Sequence, residues 1–179
     1  MVLLRWALPL LTGLLLASCN KGDVAELPAA KGAPTNPPHL YLDQAQPRLA
    51  TLKLWLGAQE MVAELALTQT QVATGMMYRK EMGTNDGMLF VFPRPHRTAF
   101  YMRNTVVPLS AAYIDPEGTI LEIHDLKPLD ETPIEAGSDN IQYVLETPQG
   151  WFKKNNIGVG TVIRTERGSL QETFFKKQP

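Results

Sequence analysis

The stretch TLKLWLGAQEMVAELAL, residues 51–67, decides the fold class of this chain. Apolar side chains recur at every second position on both sides of a Gly57-Ala58 pair, at Leu52, Leu54, Leu56, Met61, Ala63, Leu65 and Leu67. A period of two is typical of half-buried strands, and glycine takes the positive φ that a two-residue hairpin turn requires. The stretch therefore predicts a β-hairpin.

Shorter strand-like runs extend this pattern to residue 165. They cover residues 87–92, 98–102, 110–114, 119–126, 143–146 and 161–165. Two short helices are predicted among them: residues 69–78, behind a capping box at Thr68, and a helix that Thr147 caps, starting at Pro148 and ending at Asn155-Asn156. Together these elements indicate an α+β fold that is predominantly antiparallel β, with a compact barrel-like or sandwich-like sheet.

The N-terminus is typical of an export signal. Arg5 precedes an apolar run, residues 6–17, that is shorter than the roughly 20 residues of a membrane-spanning helix but suits the core of a signal peptide. Leu16-Ala17-Ser18-Cys19 resembles the lipobox of bacterial lipoproteins. That resemblance implies cleavage before Cys19 and attachment of lipid, including palmitate, at its thiol. A plain secretory signal with an incidental cysteine is the alternative.

The chain divides into four predicted segments. Residues 1–18 are the signal peptide, 19–50 the lipidated cysteine and a proline-rich tether, 51–165 the folded domain, and 166–179 a polar C-terminal tail. The tether has too little apolar surface to offset its ordering entropy. The predicted location is the cell envelope, where lipid anchors the protein to a membrane. Asn20 favours the outer membrane of a Gram-negative-type cell, facing the periplasm. The inner membrane is the alternative location.

Five motifs in order resemble a known family. They are GMMYR at residues 75–79, DGMLFVF at 86–92, FYMRNTVVPL at 100–109, YVLE at 143–146 and GWF at 150–152. The chain resembles DUF192, an uncharacterised bacterial and archaeal domain family, over roughly residues 51–162. The resemblance implies a compact, predominantly β fold and no particular reaction. The family commonly has aspartate after the Pro-Leu pair, where this chain has Ser110, which can also accept a hydrogen bond.

Composition and motifs narrow the function classes. A net charge of -1 and a pI near 6.3 argue against nucleic acid as a partner, which would require a basic excess. The one cysteine is assigned to lipid, which leaves the domain without a thiol nucleophile or a disulfide. The sequence contains none of the motifs G-x-S-x-G, H-E-x-x-H, C-x-x-C or a phosphate loop. No cofactor is predicted, and the oligomeric state is open.

Polar and aromatic residues in the matched motifs are the candidates for ligand binding: Arg79, Asp86, Arg97, Arg103, Asn104, His124, Glu146 and Trp151. The structural alternative is that Asp86 and Asn104 brace turns, the arginines lie solvated at a rim, and Trp151 anchors its helix. A weaker hypothesis is a Cu(I) site made by thioether and imidazole groups of Met76, Met88, His96 and Met102. Methionines at these positions also suit core packing.

The leading hypothesis is non-enzymatic. It describes a membrane-anchored lipoprotein that acts as a binding or accessory module for a small polar ligand, an envelope polymer or a protein partner. The alternatives are an envelope hydrolase or lyase that uses Asp86, Glu146 or His124 as acid or base, and a copper-binding protein. Two titratable groups that converge in one cavity would favour the enzyme.

Overall fold

The computed structural model describes residues 40–176, so the predicted signal peptide and lipidation site lie outside the described residues. Ten strands follow one another along the described chain: β1 Thr51–Leu56, β2 Gln59–Ala66, β3 Asp86–His96, β4 Ala99–Phe100, β5 Leu109–Ile114, β6 Ile120–Leu126, β7 Ile134–Glu135, β8 Ile141–Pro148, β9 Ile163–Thr165 and β10 Gly168–Ser169. Three short helices lie between or after them: α1 Gln69–Thr74, α2 Trp151–Lys154 and α3 Leu170–Phe174.

Eight strands form one sheet in the order β10-β9-β1-β2-β3-β8-β5-β6, and β4 pairs with β7 separately. The hairpin of β1 and β2 forms as predicted, with Leu54 opposite Met61. A β-bridge between Thr119 and Val162 connects the start of β6 to the start of β9, so the β6 side of the sheet meets its opposite side. The predicted α+β class with a mainly antiparallel sheet is confirmed.

One pair of neighbouring strands, β2 and β3, runs parallel, with Val62 opposite Asp86. A parallel pair requires a crossover connection, and the segment that contains α1 provides it. The predicted capping box is present, because Thr68 Oγ1 accepts from Gln71 N at 3.2 Å and Gln71 Oε1 accepts from Thr68 N at 3.0 Å. The predicted helix end at residue 78 was wrong. The helix ends at Thr74 because Gly75 takes a φ of 47°, outside the helical region.

Both faces of the sheet are apolar, because alternate residues of a strand point to opposite faces. Leu89 of β3 and Leu145 of β8 belong to one core cluster, which Leu170 of α3 also joins. Phe90 of β3 and Val144 of β8 belong to a second cluster. Residues of β8 at even positions therefore lie against the second cluster.

The second helix begins later than predicted. Thr147 and Pro148 complete β8, where Thr147 lies opposite Ser110 of β5, and α2 begins at Trp151 after Gly150. Pairing with β5 engages the backbone at residues 147 and 148, so Thr147 does not cap the helix. Gly150 holds the N-cap position with a left-handed φ of 77°.

The predicted polar tail was wrong for residues 168–174, which form β10 and α3. Leu170 is fully buried in the first core cluster, and a capping box of Ser169 and Glu172 starts the helix. Burial of this leucine stabilises the segment against the domain. The segment between the strands predicted at 119–126 and 143–146 contains β7, and the strand predicted at 98–102 is reduced to β4 because only Ala99 and Phe100 find partners there.

Residues 40–50, which the sequence assigned to the tether, lie against the domain. Leu42 N donates to Thr74 Oγ1 at 3.0 Å, Gln46 Nε2 donates to Gly75 O at 2.8 Å, and Leu49 N donates to Glu64 Oε2 at 2.8 Å. These bonds fix the chain before β1 to the end of α1 and to β2. From residue 40 to residue 176, no helix combines the length and apolar character that crossing a membrane requires.

Candidate functional site

Glu146 is a carboxylic acid in the interior of the sheet. It lies on β8, the strand between β3 and β5, opposite Met88 on one side and Ala111 on the other. Its even position places it on the face of the second core cluster, and the residue is 4% exposed. A carboxyl group is rarely buried to this degree without a partner.

The Glu146 carboxyl group has an unusual environment. Its Oε2 atom is buried and has no hydrogen-bond partner among residues 40–176. Burial raises the pKa of Glu146 to about 8, because removal from water disfavours the charged form. The side chain is therefore protonated at neutral pH. An unsatisfied polar atom in a protein interior costs stability, which makes Glu146 a candidate for a role other than packing.

Glu146 lines a cavity of about 170 Å³ that we call the Glu146 cavity. The wall contains the aromatic rings of Phe90, Phe92, Phe100 and Tyr101. Phe90 and Phe100 meet edge to face, with ring centroids 4.9 Å apart. Lys, Arg and His do not occur among the described residues of the lining. The cavity thus combines a single carboxyl group with aromatic surface and no positive charge.

Gly75 allows the end of α1 to close one wall of the Glu146 cavity. A Cβ atom at this position would lie 3.3 Å from Phe90 Cζ, tighter than ordinary van der Waals contact. The φ of 47° is also one that residues with a side chain rarely adopt. Glycine therefore sets how closely the segment after α1 approaches the sheet.

A second cavity, of about 260 Å³, adjoins the first, since Met76 lines both. We call it the Arg79 cavity. Arg79 donates from Nη1 to Glu64 Oε1 at 2.7 Å and from Nη2 to Glu64 Oε2 at 2.8 Å. Both side chains are nearly buried, at 13% and 12% exposed. This bidentate pair ties the segment after α1 to β2.

The ion pair in the Arg79 cavity stays charged. Burial alone would raise the pKa of Glu64, but hydrogen bonds from Arg79 and from Leu49 N outweigh it and lower the pKa overall. Glu64 therefore remains ionised beside the guanidinium. Arg79 Nε is buried and has no partner within the described part of the chain. Asp86, another predicted candidate, lines the same cavity.

Asn104 and Arg103 have structural partners. Asn104 has a left-handed φ of 54°, its Nδ2 donates to Tyr78 Oη at 2.7 Å, and its carbonyl oxygen accepts from Tyr78 N at 2.8 Å. This is the turn-bracing role that the alternative interpretation described. Arg103 pairs with Glu131 at 2.6 Å and lies over the ring of Tyr101, at 5.5 Å from its centroid, on the exposed surface.

The other predicted candidates lie apart from the Glu146 cavity. Arg97 donates to Gly137 O at 3.2 Å, and His124 Nε2 lies 3.0 Å from Glu122 Oε2. Trp151 is 3% exposed and donates from Nε1 to Asn85 Oδ1 at 3.2 Å, so it anchors α2. Arg97 and Trp151 thus bond to loop residues and His124 to a residue of its own strand, and none of the three lines the Glu146 cavity.

The weak copper candidates occupy two different environments. Met76, Met88 and Met102 are buried in the second core cluster. The ring of His96 packs against Phe92 with centroids 4.6 Å apart, and its Nδ1 lies 3.2 Å from Arg94 O. Within the described residues, no group of three or more His, Cys, Asp or Glu side chains is arranged to hold a metal ion.

Comparison with known proteins identifies the family. The model of the DUF192 family, described as an uncharacterized ACR family, matches residues 53–165, well over half of the chain. The chain belongs to the DUF192 family. The family predicted from the five sequence motifs is confirmed, and no curated protein matches the chain.

Two solved structures resemble this DUF192 protein. One, from Sinorhizobium meliloti 1021 and described as a candidate transcription regulator, is 30% identical with a TM-score of 0.64. It covers 68% of this chain, and the match spans 98% of that protein. The other, a protein of unknown function from Novosphingobium aromaticivorans DSM 12444, is 31% identical with a TM-score of 0.61. It covers 65% of this chain, and the match spans 86% of that protein.

Ser110 of this DUF192 protein keeps a structural role where the family resemblance leads us to expect aspartate. Its Oγ atom donates to Asp125 Oδ1 and accepts from Gly150 N at 2.9 Å. It thereby links β5 and β6 to the start of α2. The residue is 1% exposed, so an unmade bond here would leave a buried polar group unpaired.

Sequence reasoning about this DUF192 protein missed Glu64 and the aromatic wall of the Glu146 cavity. The signal for Glu64 was a charged residue between Ala63 and Leu65 of a predicted strand. The aromatic wall comes from β3 and residues 98–101, which reach Glu146 only through the sheet order.

Proposed function

We propose that this protein is an exported, lipid-anchored binding module of the cell envelope whose ligand occupies the Glu146 cavity. One observation carries the proposal: a buried carboxyl group with an unpartnered oxygen lines a concave cavity whose wall includes four aromatic residues. Binding sites for small molecules are commonly apolar cavities with a few polar groups that fix orientation. A ligand would supply the hydrogen-bond or ionic partner that Glu146 lacks among residues 40–176.

The distribution of titratable groups supports binding over catalysis. A hydrolase or lyase of the kind considered above needs an acid and a base near the same reacting atoms. Asp86 and Glu146 line different cavities, and His124 is paired with Glu122. Glu146 is the single carboxyl group among the described residues that line its cavity. The Glu146 cavity therefore favours a receptor over an acid–base enzyme. In the adjoining Arg79 cavity, where Glu64 and Asp86 both occur, the Glu64 carboxylate is paired with Arg79.

The anchor rests on the sequence. Residues 16–19 resemble a lipobox, and a proline-containing segment separates Cys19 from β1. Two or three acyl chains on one cysteine give stable attachment, whereas a single chain binds a membrane marginally. Fractionation of cells that express the Cys19→Ser variant tests the anchor. We expect the variant to leave the membrane fraction, and retention there would contradict lipid anchoring at this residue.

A thermal-shift screen of the full chain in detergent tests the binding site. The panel contains cell-wall and polysaccharide fragments and small amines, amides and carboxylates. A ligand at about 100 times its Kd adds about 2.7 kcal/mol to stability. We expect a hit whose stabilisation is lost in Glu146→Leu and kept in the matched surface variant Glu166→Leu. A hit that stabilises all three proteins equally would place the ligand elsewhere, and an entirely silent panel would contradict the proposal.

A further inference from the structure

The lining of the Glu146 cavity restricts the charge of its ligand. An anionic ligand would enter without a counter-charge, because the described lining residues include no Lys, Arg or His. Burial of a charge without a partner is costly. A neutral ligand needs only a hydrogen bond, and an amide side chain at position 146 could supply that bond as well as a carboxyl group. A carboxyl group differs from an amide in that it can become negative.

The aromatic wall favours the opposite charge. Phe90, Phe92 and Phe100 line the same cavity as Glu146. A cation within about 6 Å of a ring centroid is attracted by the ring quadrupole, and the attraction strengthens when water is excluded. Aromatic rings together with one carboxylate are the combination that binds ammonium groups. Resting on the proposed binding function, we infer that the ligand of the Glu146 cavity is a small organic cation, an amine or a quaternary ammonium group.

Size agrees with this class. A water molecule occupies about 30 Å³ in the liquid, so a cavity of about 170 Å³ has room for a group of several non-hydrogen atoms. A trimethylammonium head is of this size. The threonines of the wall, Thr74, Thr98 and Thr105, provide hydroxyl groups for a polar tail.

Cation binding requires an ionised Glu146, so it releases a proton. The titratable groups that face Glu146 are Tyr113, from the neighbouring strand β5, and Tyr101, from the cavity wall; Met88 and Phe90 of β3 do not titrate. Burial raises the pKa of Tyr113, so its hydroxyl stays neutral across the relevant range. The affinity for a cation should therefore rise between about pH 6 and about pH 8, by about 50-fold for a free pKa of about 8.

The test compares choline with 3,3-dimethylbutan-1-ol, which has the same shape and no charge, by calorimetric titration of the full chain in detergent. We expect choline to bind at least about tenfold more tightly than the alcohol, with the pH dependence given above and with proton release. Glu146→Gln should remove both the charge preference and the pH dependence. Phe100→Leu should weaken choline binding several-fold while the pH dependence stays, and Glu166→Gln should bind like the wild type.

Four results would overturn the inference. If the alcohol binds as tightly as choline, or if Glu146→Gln binds choline normally, the ligand class is wrong and the cavity remains a binding site. If choline does not bind at about 10 mM and every Glu146-dependent ligand from the earlier panel is uncharged or anionic, the cation class alone fails, since that concentration detects complexes weaker than 1 mM affinity. If no compound in either set depends on Glu146, both proposals fail.

Discussion

Replacement of Glu146 by glutamine should stabilise the protein at neutral pH. The pKa of Glu146 is raised from its ordinary value of 4.5 to about 8 by burial. Between these values the unfolded chain releases a proton that the folded chain keeps, so stability falls as the pH rises. The stability that neutral Glu146 contributes is fully present below pH 4.5 and is lost as the pH rises through 8. Each pKa unit corresponds to about 1.36 kcal/mol. The free energy of unfolding should therefore be lower than at acidic pH by about 3 kcal/mol at pH 7 and by roughly 4 to 5 kcal/mol at pH 8.

Urea unfolding of the wild type and Glu146→Gln at several pH values measures this difference directly. Glutamine has nearly the same volume and no ionisable group, so the titration of every other residue cancels in the comparison. We expect similar free energies of unfolding near pH 5 and a variant that is more stable by about 3 kcal/mol near pH 7. The exposed substitution Glu166→Gln is the matched control and should leave stability unchanged within about 0.5 kcal/mol. A difference between wild type and variant that stays constant from pH 5 to pH 8 would refute the assignment of Glu146 as a buried neutral acid.

Two further predictions concern the residues that frame the cavities. Arg79→Met leaves the Glu64 carboxylate buried without its cation, so unfolding titrations at pH 7 should show a loss of about 3–5 kcal/mol. Because hydrogen bonds lower the pKa of Glu64, this loss of stability should shrink as the pH falls below 4.5. A loss of the same size at every pH would indicate that Arg79 contributes through packing alone. Gly87→Ala places a Cβ atom 3.1 Å from both Glu146 O and Leu145 Cδ1, so calorimetry should show destabilisation of about 1–3 kcal/mol. Gly158→Ala, where an added Cβ meets nothing within 4 Å, is the control, and equal effects of the two substitutions would contradict this explanation.

Local signals in the sequence were sufficient for the elements whose ends depend on neighbouring residues. The alternation on both sides of Gly57-Ala58 predicted β1 and β2, and the Thr68 capping box predicted the start of α1. The end of α1 could not be predicted in this way. The chain after Gly75 follows contacts with distant residues, such as the bond from Tyr78 N to Asn104 O. The same holds for Thr147, whose pairing with Ser110 overrides its preference for a helix cap.

The candidate site was only partly predictable. Glu146 was identified as a polar residue of the matched motif YVLE, but its lack of a partner depends on β3, β5 and residues 98–101 together. Arg79 was also identified, whereas its partner Glu64 lies fifteen residues earlier, on β2. The sequence does not show which residue of β2 lies beside Arg79. The pairing of Arg79 with Glu64 is therefore visible only in the folded structure.

The pairing of β1 with β9 has a consequence for how such a chain is delivered. Leu54 of β1 pairs with Thr165 of β9, so β1 cannot complete its pairing until residues near the end of the domain are present. The bridge from Thr119 likewise requires Val162. A chain that emerges amino end first from a secretion channel cannot complete this fold until almost all of it has passed through. Contacts between residues so distant in sequence form late, so the chain would stay unfolded while it passes through such a channel. In the export that we propose, this topology would delay folding until the chain has crossed the membrane.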